Sequence, residues 1–172
     1  MIVQTFSRRL SHVAQRGHKD CAIAAAATVA QVTYEEAALQ SPPHCLERGT
    51  YSNEMLEILR KLTAVKWRIC FPWWRTVKQL KAYPYPIVLS IRNPDIHASG
   101  HYIAMDGTWV HDPASRQRVA KDFYGRGDAR IKAILRPKSL ERYHELIAGR
   151  LNTRSRLPEI ISDCLPRIPS EA

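Results

Sequence analysis

The segment Gln15-Arg-Gly-His-Lys-Asp-Cys21, followed directly by Ala22-Ile-Ala-Ala-Ala-Ala-Thr28, decides the fold that this chain predicts. The second run contains small helix formers after a polar loop, so a helix is predicted to begin near Cys21 and to end at about Gln31. A cysteine at this position faces the free N–H groups and the positive end of the helix dipole. Both favour the thiolate, which is the nucleophilic form, and Cys21 is therefore the predicted nucleophile.

A second segment, Gly100-His101-Tyr-Ile-Ala-Met105 with Asp106 to Pro113 behind it, supplies the partners of a nucleophile. Asp106-Gly107 is a strong hairpin signal, and it predicts that residues 102–105 and 108–110 pair as antiparallel strands. Asp112 follows His101 by eleven residues, so the returning strand would bring the two side chains together. The sequence thus predicts a Cys-His-Asp constellation.

The remaining elements predict helices first and strands later. Thr33-Tyr-Glu-Glu36 has the form of a capping box and predicts a short helix. Further helices are predicted after Ser52-Asn53 and over 76–81 and 139–148, with strands over 2–6, 65–71, 87–91 and 132–135. The expected fold class is α+β, with N-terminal helices packed on a mainly antiparallel sheet and an active-site cleft between them.

Length and composition predict one domain with an appendage. The chain has 172 residues, 45% of them hydrophobic, which suits a single core over residues 1–150. A basic C-terminal tail containing Pro and Arg is predicted over residues 151–172. No apolar run approaches the roughly 20 residues that cross a bilayer, and no signal peptide is recognisable. We therefore expect no membrane association and a cytoplasmic protein.

The cysteine spacing and the net charge indicate which cofactors and partners to expect. The four cysteines form no CxxC pair, so the usual signature of a tetrahedral zinc site is missing, and the thiols are predicted to be reduced. The thiol chemistry expected of Cys21 needs neither a metal nor an organic cofactor, and none is expected. The net charge of +10 is spread along the chain, which predicts weak polyanion binding through a basic surface. The alternative hypothesis is a noncatalytic basic binding protein on the same fold, which would engage nucleic acid or an acidic protein partner.

Gln15, Asp20-Cys21, Gly100-His101 and Asp112-Pro113-Ala114 together resemble the papain-like cysteine peptidases, most closely the C39 family of bacteriocin-processing peptidases. The resemblance covers roughly residues 10 to 136 and implies a papain-like fold. It implies that Cys21 is the nucleophile, His101 the general base and acid, and Asp112 the residue that orients the imidazole. Gln15 would help to form the oxyanion hole. The expected activity is cleavage of a peptide or isopeptide-like amide; acyl transfer and deamidation use the same groups.

Two features depart from that family. Its nucleophile is commonly followed by glycine, whereas this chain has Ala22. The transmembrane and nucleotide-binding domains of the bacteriocin exporters have no counterpart in the sequence. Neither peptide export nor specificity for a double-glycine leader is therefore implied.

Each site residue also has a structural interpretation. Cys21 could be a small buried hydrophobe, His101 a structural histidine, Asp112 a turn residue and Gln15 an ordinary loop residue. Three other groups are also candidates for a functional role. They are His97 as a substrate contact or alternative base, His44-Cys45 as part of a metal site, and Phe71-Pro-Trp-Trp74 as a stacking platform or core cluster. His111 is expected to point away from the face that Asp112 uses.

Overall fold

The computed structural model describes residues 10–72, 75–92 and 100–151. Several predictions fall outside these ranges, namely the strand over 2–6, the tail from 152 onward, the role of His97, and the Trp73-Trp74 half of the aromatic cluster. No helix within the described ranges is long and apolar enough to cross a membrane.

The described chain forms four helices, then alternates strands and turns, and ends in a further helix. The helices are α1 (Cys21–Ala30), α2 (Tyr34–Gln40), α3 (His44–Arg48), α4 (Ser52–Thr63) and α5 (140–151). The strands are β1 (Trp67–Cys70), β2 (Tyr83–Arg92), β3 (Gly100–Gly107), β4 (Trp109–His111), β5 (Val119–Ala120) and β6 (Ile131–Pro137). A short 3₁₀ helix covers Lys121–Phe123.

The six strands form one sheet in the order β1-β6-β2-β3-β4-β5, and every neighbouring pair is antiparallel. The α+β class and the antiparallel sheet predicted from the sequence are confirmed. The hairpin between β3 and β4 pairs Asp106 with Trp109, so its two-residue turn is Gly107-Thr108, one position later than predicted. Gly107 has φ of 56°, a conformation that glycine adopts without steric cost.

Helix α1 lies in the middle of the core, and all ten of its residues are buried. Its small side chains allow close packing against β3, α2 and α4, which explains why an alanine run serves better here than an amphipathic one. At the far end of the domain, the hydroxyl of Tyr143 in α5 donates to the Val29 carbonyl at 2.6 Å. The helix that carries Cys21 is therefore held on several sides by packing.

On the opposite face of the sheet, the described side chains come from strands and turns and not from α-helices. Its apolar cluster joins β2 and β3 to side chains from the segments before β2 and before β6, including Val77, Leu80, Tyr124 and Ala129. The helix predicted over 76–81 is wrong: Thr76 forms an isolated bridge with Arg130, and a turn follows. Because backbone groups at 75–78 pair with residues 127–131, they are unavailable for a helix.

Two further local predictions need correction. The strand predicted over 87–91 begins earlier, at Tyr83, and includes Pro84 and Pro86, where its register with β3 is irregular between Tyr83 and Ile87. Proline lacks the N–H of a regular ladder, and the irregularity accommodates it. Helix α3 was not predicted. Pro43 stands at its N-cap.

Candidate active site

Cys21, His101 and Asp112 meet at the N-terminus of α1. Cys21 is the first residue of α1, His101 is the second residue of β3, and Asp112 follows the last residue of β4. All three are buried, with 9% of Cys21 and 7% each of His101 and Asp112 exposed. The structure thus brings together the three side chains that the sequence singled out, although they are up to 91 positions apart in the chain.

A short hydrogen bond joins the histidine to the aspartate. His101 Nε2 lies 2.7 Å from Asp112 Oδ1. An ionised carboxylate can only accept, so Nε2 carries the proton of this bond and the other ring nitrogen, Nδ1, is left for the Cys21 sulfur. This fixes the tautomer that a general base next to a thiol requires.

The charge on His101 follows from three opposing effects. Burial lowers the pKa of the imidazole, but the hydrogen bonds to Asp112 and Cys21, together with their negative charge, outweigh it and raise the pKa to about 9. The imidazolium form is therefore favoured at neutral pH. A cationic imidazole beside a sulfur stabilises the thiolate, which is the reactive form of cysteine.

Asp112 is held by donors from three directions besides His101. The Ala114 N–H donates to Oδ1 at 2.9 Å, the Tyr124 hydroxyl donates to Oδ2 at 2.8 Å, and Arg126 Nη1 lies 3.5 Å from Oδ2. Burial raises the pKa of Asp112, but these bonds and the imidazole overcome it and lower the pKa to about 2. The carboxylate is consequently ionised and immobile, as an orienting group must be.

Tyr124 was not identified from the sequence. Burial and the neighbouring Asp112 carboxylate raise the pKa of its hydroxyl well above the usual value, so it remains a proton donor to that carboxylate. It follows the 3₁₀ helix Lys121–Phe123, a short element without a distinctive pattern. No local signal connects a tyrosine twelve residues downstream with Asp112, and only the folded chain reveals the contact.

Gln15 lies on the loop that passes beside the aspartate. Its backbone N–H donates to the Pro113 carbonyl at 2.9 Å, which fixes this loop next to Asp112. Its side-chain Nε2 donates to the Gly17 carbonyl at 2.8 Å. In the described ranges, no hydrogen bond joins the Gln15 side chain to Cys21, His101 or Asp112, so the structure places Gln15 beside the triad by its backbone only.

Asp20 shapes the same loop and was passed over as a functional residue. Its buried Oδ2 accepts from the N–H groups of Arg16 and Gly17, at 2.9 and 3.0 Å, and from the Tyr34 hydroxyl at 2.6 Å. Burial and this hydrogen bond raise the pKa of Tyr34 well above normal. The sequence signal was an aspartate at the predicted N-cap with a glycine three residues before it.

Because the Asp20 carboxylate is turned toward the loop, no described side chain caps the N-terminus of α1. The first backbone bond of the helix runs from the Ala24 N–H to the Asp20 carbonyl. The N–H groups at the start of α1 therefore point out of the helix next to the Cys21 sulfur. An oxyanion formed on a group attached to Cys21 would find donors there.

Ala22, which stands where the resembled family commonly has glycine, is 1% exposed. Its methyl group belongs to the main core cluster and packs inward with the rest of α1.

Tyr102, on the next position after His101, lies close enough to Cys21 for their charges to interact, and its hydroxyl is 3.3 Å from Ser52 Oγ. This contact ties the start of α4 to the strand that carries the histidine.

One group of potential metal ligands occurs within the described ranges, formed by His44, Cys45 and Glu54. Their ligand atoms lie within 4.8 Å of one another. However, the Tyr51 N–H and the Arg48 guanidinium already bond to the Glu54 carboxylate, and with His44 they lower the pKa of Glu54 to about 2. A metal ion would have to displace the arginine.

Neither comparison with known proteins identifies a family. No protein-family model matches this chain. No curated protein matches it either. The functional argument therefore depends on the residues and their geometry.

Proposed function

We propose that this protein is a cysteine-dependent hydrolase of papain-like fold, similar to the C39 peptidases, that cleaves a peptide or isopeptide-like amide. The observation that supports it most strongly is the position of Cys21 at an uncapped helix N-terminus, beside an imidazole that Asp112 orients and keeps protonated. A merely structural cysteine needs neither a charged partner nor free helix N–H groups.

The first half of the reaction forms an acyl-enzyme. The Cys21 thiolate attacks the carbonyl carbon, a C–S bond forms, and the carbonyl electron pair moves to oxygen. The Cys21 N–H and the side-chain amide of Gln15 donate to that oxyanion. His101 then gives its proton to the leaving nitrogen, the C–N bond breaks, and a thioester remains on Cys21.

The second half consumes water. His101, now neutral, takes a proton from water as the oxygen attacks the thioester carbonyl. The C–S bond breaks, and the thiolate and imidazolium are restored. Asp112 keeps Nε2 as the hydrogen-bonded nitrogen throughout, so that Nδ1 performs both proton transfers. An amine in place of water would give acyl transfer, and a side-chain amide substrate would give deamidation.

The test is cleavage of a proteome-derived peptide library, with products identified by mass spectrometry. The wild-type protein is expected to generate new peptide termini, whereas Cys21→Ser is expected to generate none because its hydroxyl is far less acidic than a thiol. Cys45→Ser is the matched control, since Cys45 is another buried free cysteine and should be dispensable.

Two results would contradict the proposal. One is cleavage that survives Cys21→Ser in a protein whose unfolding curve is unchanged. The other is the absence of cleavage, acyl transfer and deamidation in the wild type, combined with salt-sensitive binding of nucleic acid that Cys21→Ser does not affect. The second result would favour the noncatalytic binding protein.

A further inference from the structure

A cavity of about 370 Å³ opens at the same end of the sheet as His101. It lies where β2 ends and β6 begins, next to the chain that leaves β1. Among the residues that the structure describes, its lining comprises Phe71, Pro72, Arg75, Arg92, Arg130, Ile131 and Lys132. Four of these seven side chains are cationic and none is acidic, which distinguishes the cavity from the dispersed charge on the rest of the chain.

The positions of these cations are fixed by the backbone. The Arg92 N–H donates to the Arg130 carbonyl at 2.9 Å, and the Ile131 N–H donates to the Arg75 carbonyl at 3.0 Å. Three arginines thus extend from hydrogen-bonded backbone at one edge of the cavity. Sites supported by paired strands hold their side chains more firmly than sites on loops, so the arrangement is suited to binding.

Arg75, Arg92 and Lys132 carry no ion pair with any carboxylate that the structure describes. Like charges gathered at one opening repel each other and generate a positive potential that attracts an anion. The buried Ile131 and the exposed Phe71 supply apolar surface beside them.

The cavity adjoins the proposed catalytic centre. Arg92 pairs with Gly100 across β2 and β3, and Gly100 precedes His101. Lys132 Nζ would lie 3.7 Å from a Cβ atom placed on Gly100. β6 lies two strands from β3, which is about 10 Å at the usual strand separation. An extended peptide covers that distance with about three residues.

We propose that this cavity is a substrate subsite for an acidic side chain, located about three residues from the scissile amide. The proposal rests on the hydrolase function above, because the subsite is defined by its distance from an amide that Cys21 attacks. Arg92 and Lys132 would bind the carboxylate, while Phe71 and Ile131 would contact an apolar neighbour. The predicted substrates are therefore acidic peptides, which the positive charge of the protein would also attract.

The test measures binding of fluorescent hexapeptides that carry Glu or Gln at one position at a time, to the full-length Cys21→Ala variant at fixed ionic strength. At one position we expect Glu to bind about tenfold more tightly than Gln, the difference that one charge-assisted hydrogen bond typically supplies. Adding Arg92→Gln and Lys132→Gln should bring that ratio close to one. Arg142→Gln removes an exposed cation outside the cavity lining and should leave it unchanged.

A charge reversal separates the subsite from general attraction. Arg92→Glu is expected to shift the preference at the same position from Glu toward Lys. Equal binding of Glu and Gln peptides at every position would overturn the subsite, and so would a Glu preference that survives the double substitution. A third result would also overturn the subsite. If Arg92→Gln weakens the binding of a single-stranded oligonucleotide and the peptides show no Glu preference, the cavity binds phosphate and not a peptide carboxylate.

The binding test does not depend on catalysis, so the two proposals can fail separately. A Glu preference that Arg92→Gln and Lys132→Gln abolish, in a protein that cleaves no peptide, would support the acidic subsite and remove the hydrolase. Cleavage that requires Cys21 but shows no acidic preference would keep the hydrolase and overturn the subsite. Unfolding curves for each variant exclude loss of fold as the cause.

Discussion

Two buried histidine–aspartate pairs lie within one hairpin, and they differ in what surrounds them. His101 and Asp112 are joined by a 2.7 Å hydrogen bond and lie against Cys21. His111 Nε2 lies 3.4 Å from Asp106 Oδ1, and neither ring nitrogen of His111 has a hydrogen-bond partner in the described part of the chain. Both histidines have a carboxylate nearby. Only His101 is hydrogen-bonded to its carboxylate and also lies next to a nucleophile, Cys21.

The second pair serves a structural role in this account. The His111 ring is fully buried and stacks on His12, with ring centroids 5.8 Å apart. Asp106 Oδ2 accepts from the Leu10 N–H at 3.1 Å, which fastens the N-terminal segment to the hairpin. Burial and a neighbouring aspartate do not distinguish the two histidines. His101 is assigned as the catalytic histidine because it also lies against Cys21, whereas His111 stacks on His12.

The largest expected difference between the two pairs is in kcat/KM when each histidine is replaced in turn. His101→Ala is expected to lower kcat/KM on a peptide from the cleavage screen by about 10²–10⁴-fold, the usual contribution of a general acid–base group. His111→Ala should leave the kcat/KM of the folded fraction within a few fold, but lower the free energy of unfolding by about 1–3 kcal/mol through lost packing. The reverse pattern would exchange the roles of the two pairs.

The two aspartates provide the next contrast. Asp112→Asn should reduce kcat/KM by at least about 10²-fold, because an amide can present its N–H and so favour the wrong tautomer of His101. Asp106→Asn keeps an acceptor for the Leu10 N–H and should change kcat/KM by less than about threefold. Equal losses in both variants would show that the hairpin responds as one structural unit. Circular dichroism at the assay temperature checks the fold.

The alkaline pH dependence of stability should reveal the first pair. A histidine whose pKa is raised on folding, here to about 9, contributes stability that is complete below about 6.5 and is lost as the pH rises through 9. The shift corresponds to a loss on the order of 3 kcal/mol across that interval. Denaturant unfolding at pH 6 and pH 9.5 should show this decline in the wild type and in His111→Ala. In His101→Ala the decline should be much smaller.

Asp112 contributes at the opposite end of the pH scale. Its pKa is lowered to about 2, so its stabilising contribution is present above about pH 4 and is lost as the pH falls through 2. In the folded protein both charges are present between about pH 2 and 9, and activity should fall on the alkaline side of this window as the imidazolium loses its proton.

Removing the Tyr124 hydroxyl, which supports Asp112 from outside the histidine–aspartate pair, is expected to have a smaller effect on stability and on kcat/KM. Tyr124→Phe removes the hydroxyl that donates to Oδ2 at 2.8 Å but keeps the ring. We expect a loss of about 1–2 kcal/mol in the free energy of unfolding and a loss of less than about tenfold in kcat/KM, since His101, Ala114 and Arg126 still contact the carboxylate. Tyr143→Phe, another buried hydroxyl, should lower stability alone.

The first pair was predictable from the sequence, because its signals are local. An alanine run behind Cys21 marks a helix start, and a hairpin between His101 and Asp112 brings them together through simple antiparallel pairing. The capping box of α2 was likewise confirmed, with the Glu36 N–H donating to Thr33 Oγ1 at 3.1 Å. Short-range patterns of this kind need no knowledge of the rest of the fold.

The supporting contacts were not predictable, because each joins distant segments. The Asp20 carboxylate accepts a hydrogen bond from Tyr34 in the next helix, and the Asp112 carboxylate accepts one from Tyr124. The basic cavity combines residues from four separate segments, so dispersed charges in the sequence become one cluster only after the sheet forms. His111 was expected to lie away from the face used by Asp112, and its pairing with Asp106 could not be deduced from alternation alone.

The pairing of a reactive Cys21 with His101 is tested most directly by alkylation of the cysteines at several pH values, with mass spectrometric readout. Cys45 serves as an internal control, since it is buried and free, and burial raises the pKa of its thiol. The account predicts that Cys21 is alkylated much faster than Cys45 at pH 6, and that His101→Ala abolishes this advantage whereas His111→Ala does not. Equal, slow alkylation of both thiols until the protein unfolds would contradict the account and make Cys21 a core residue.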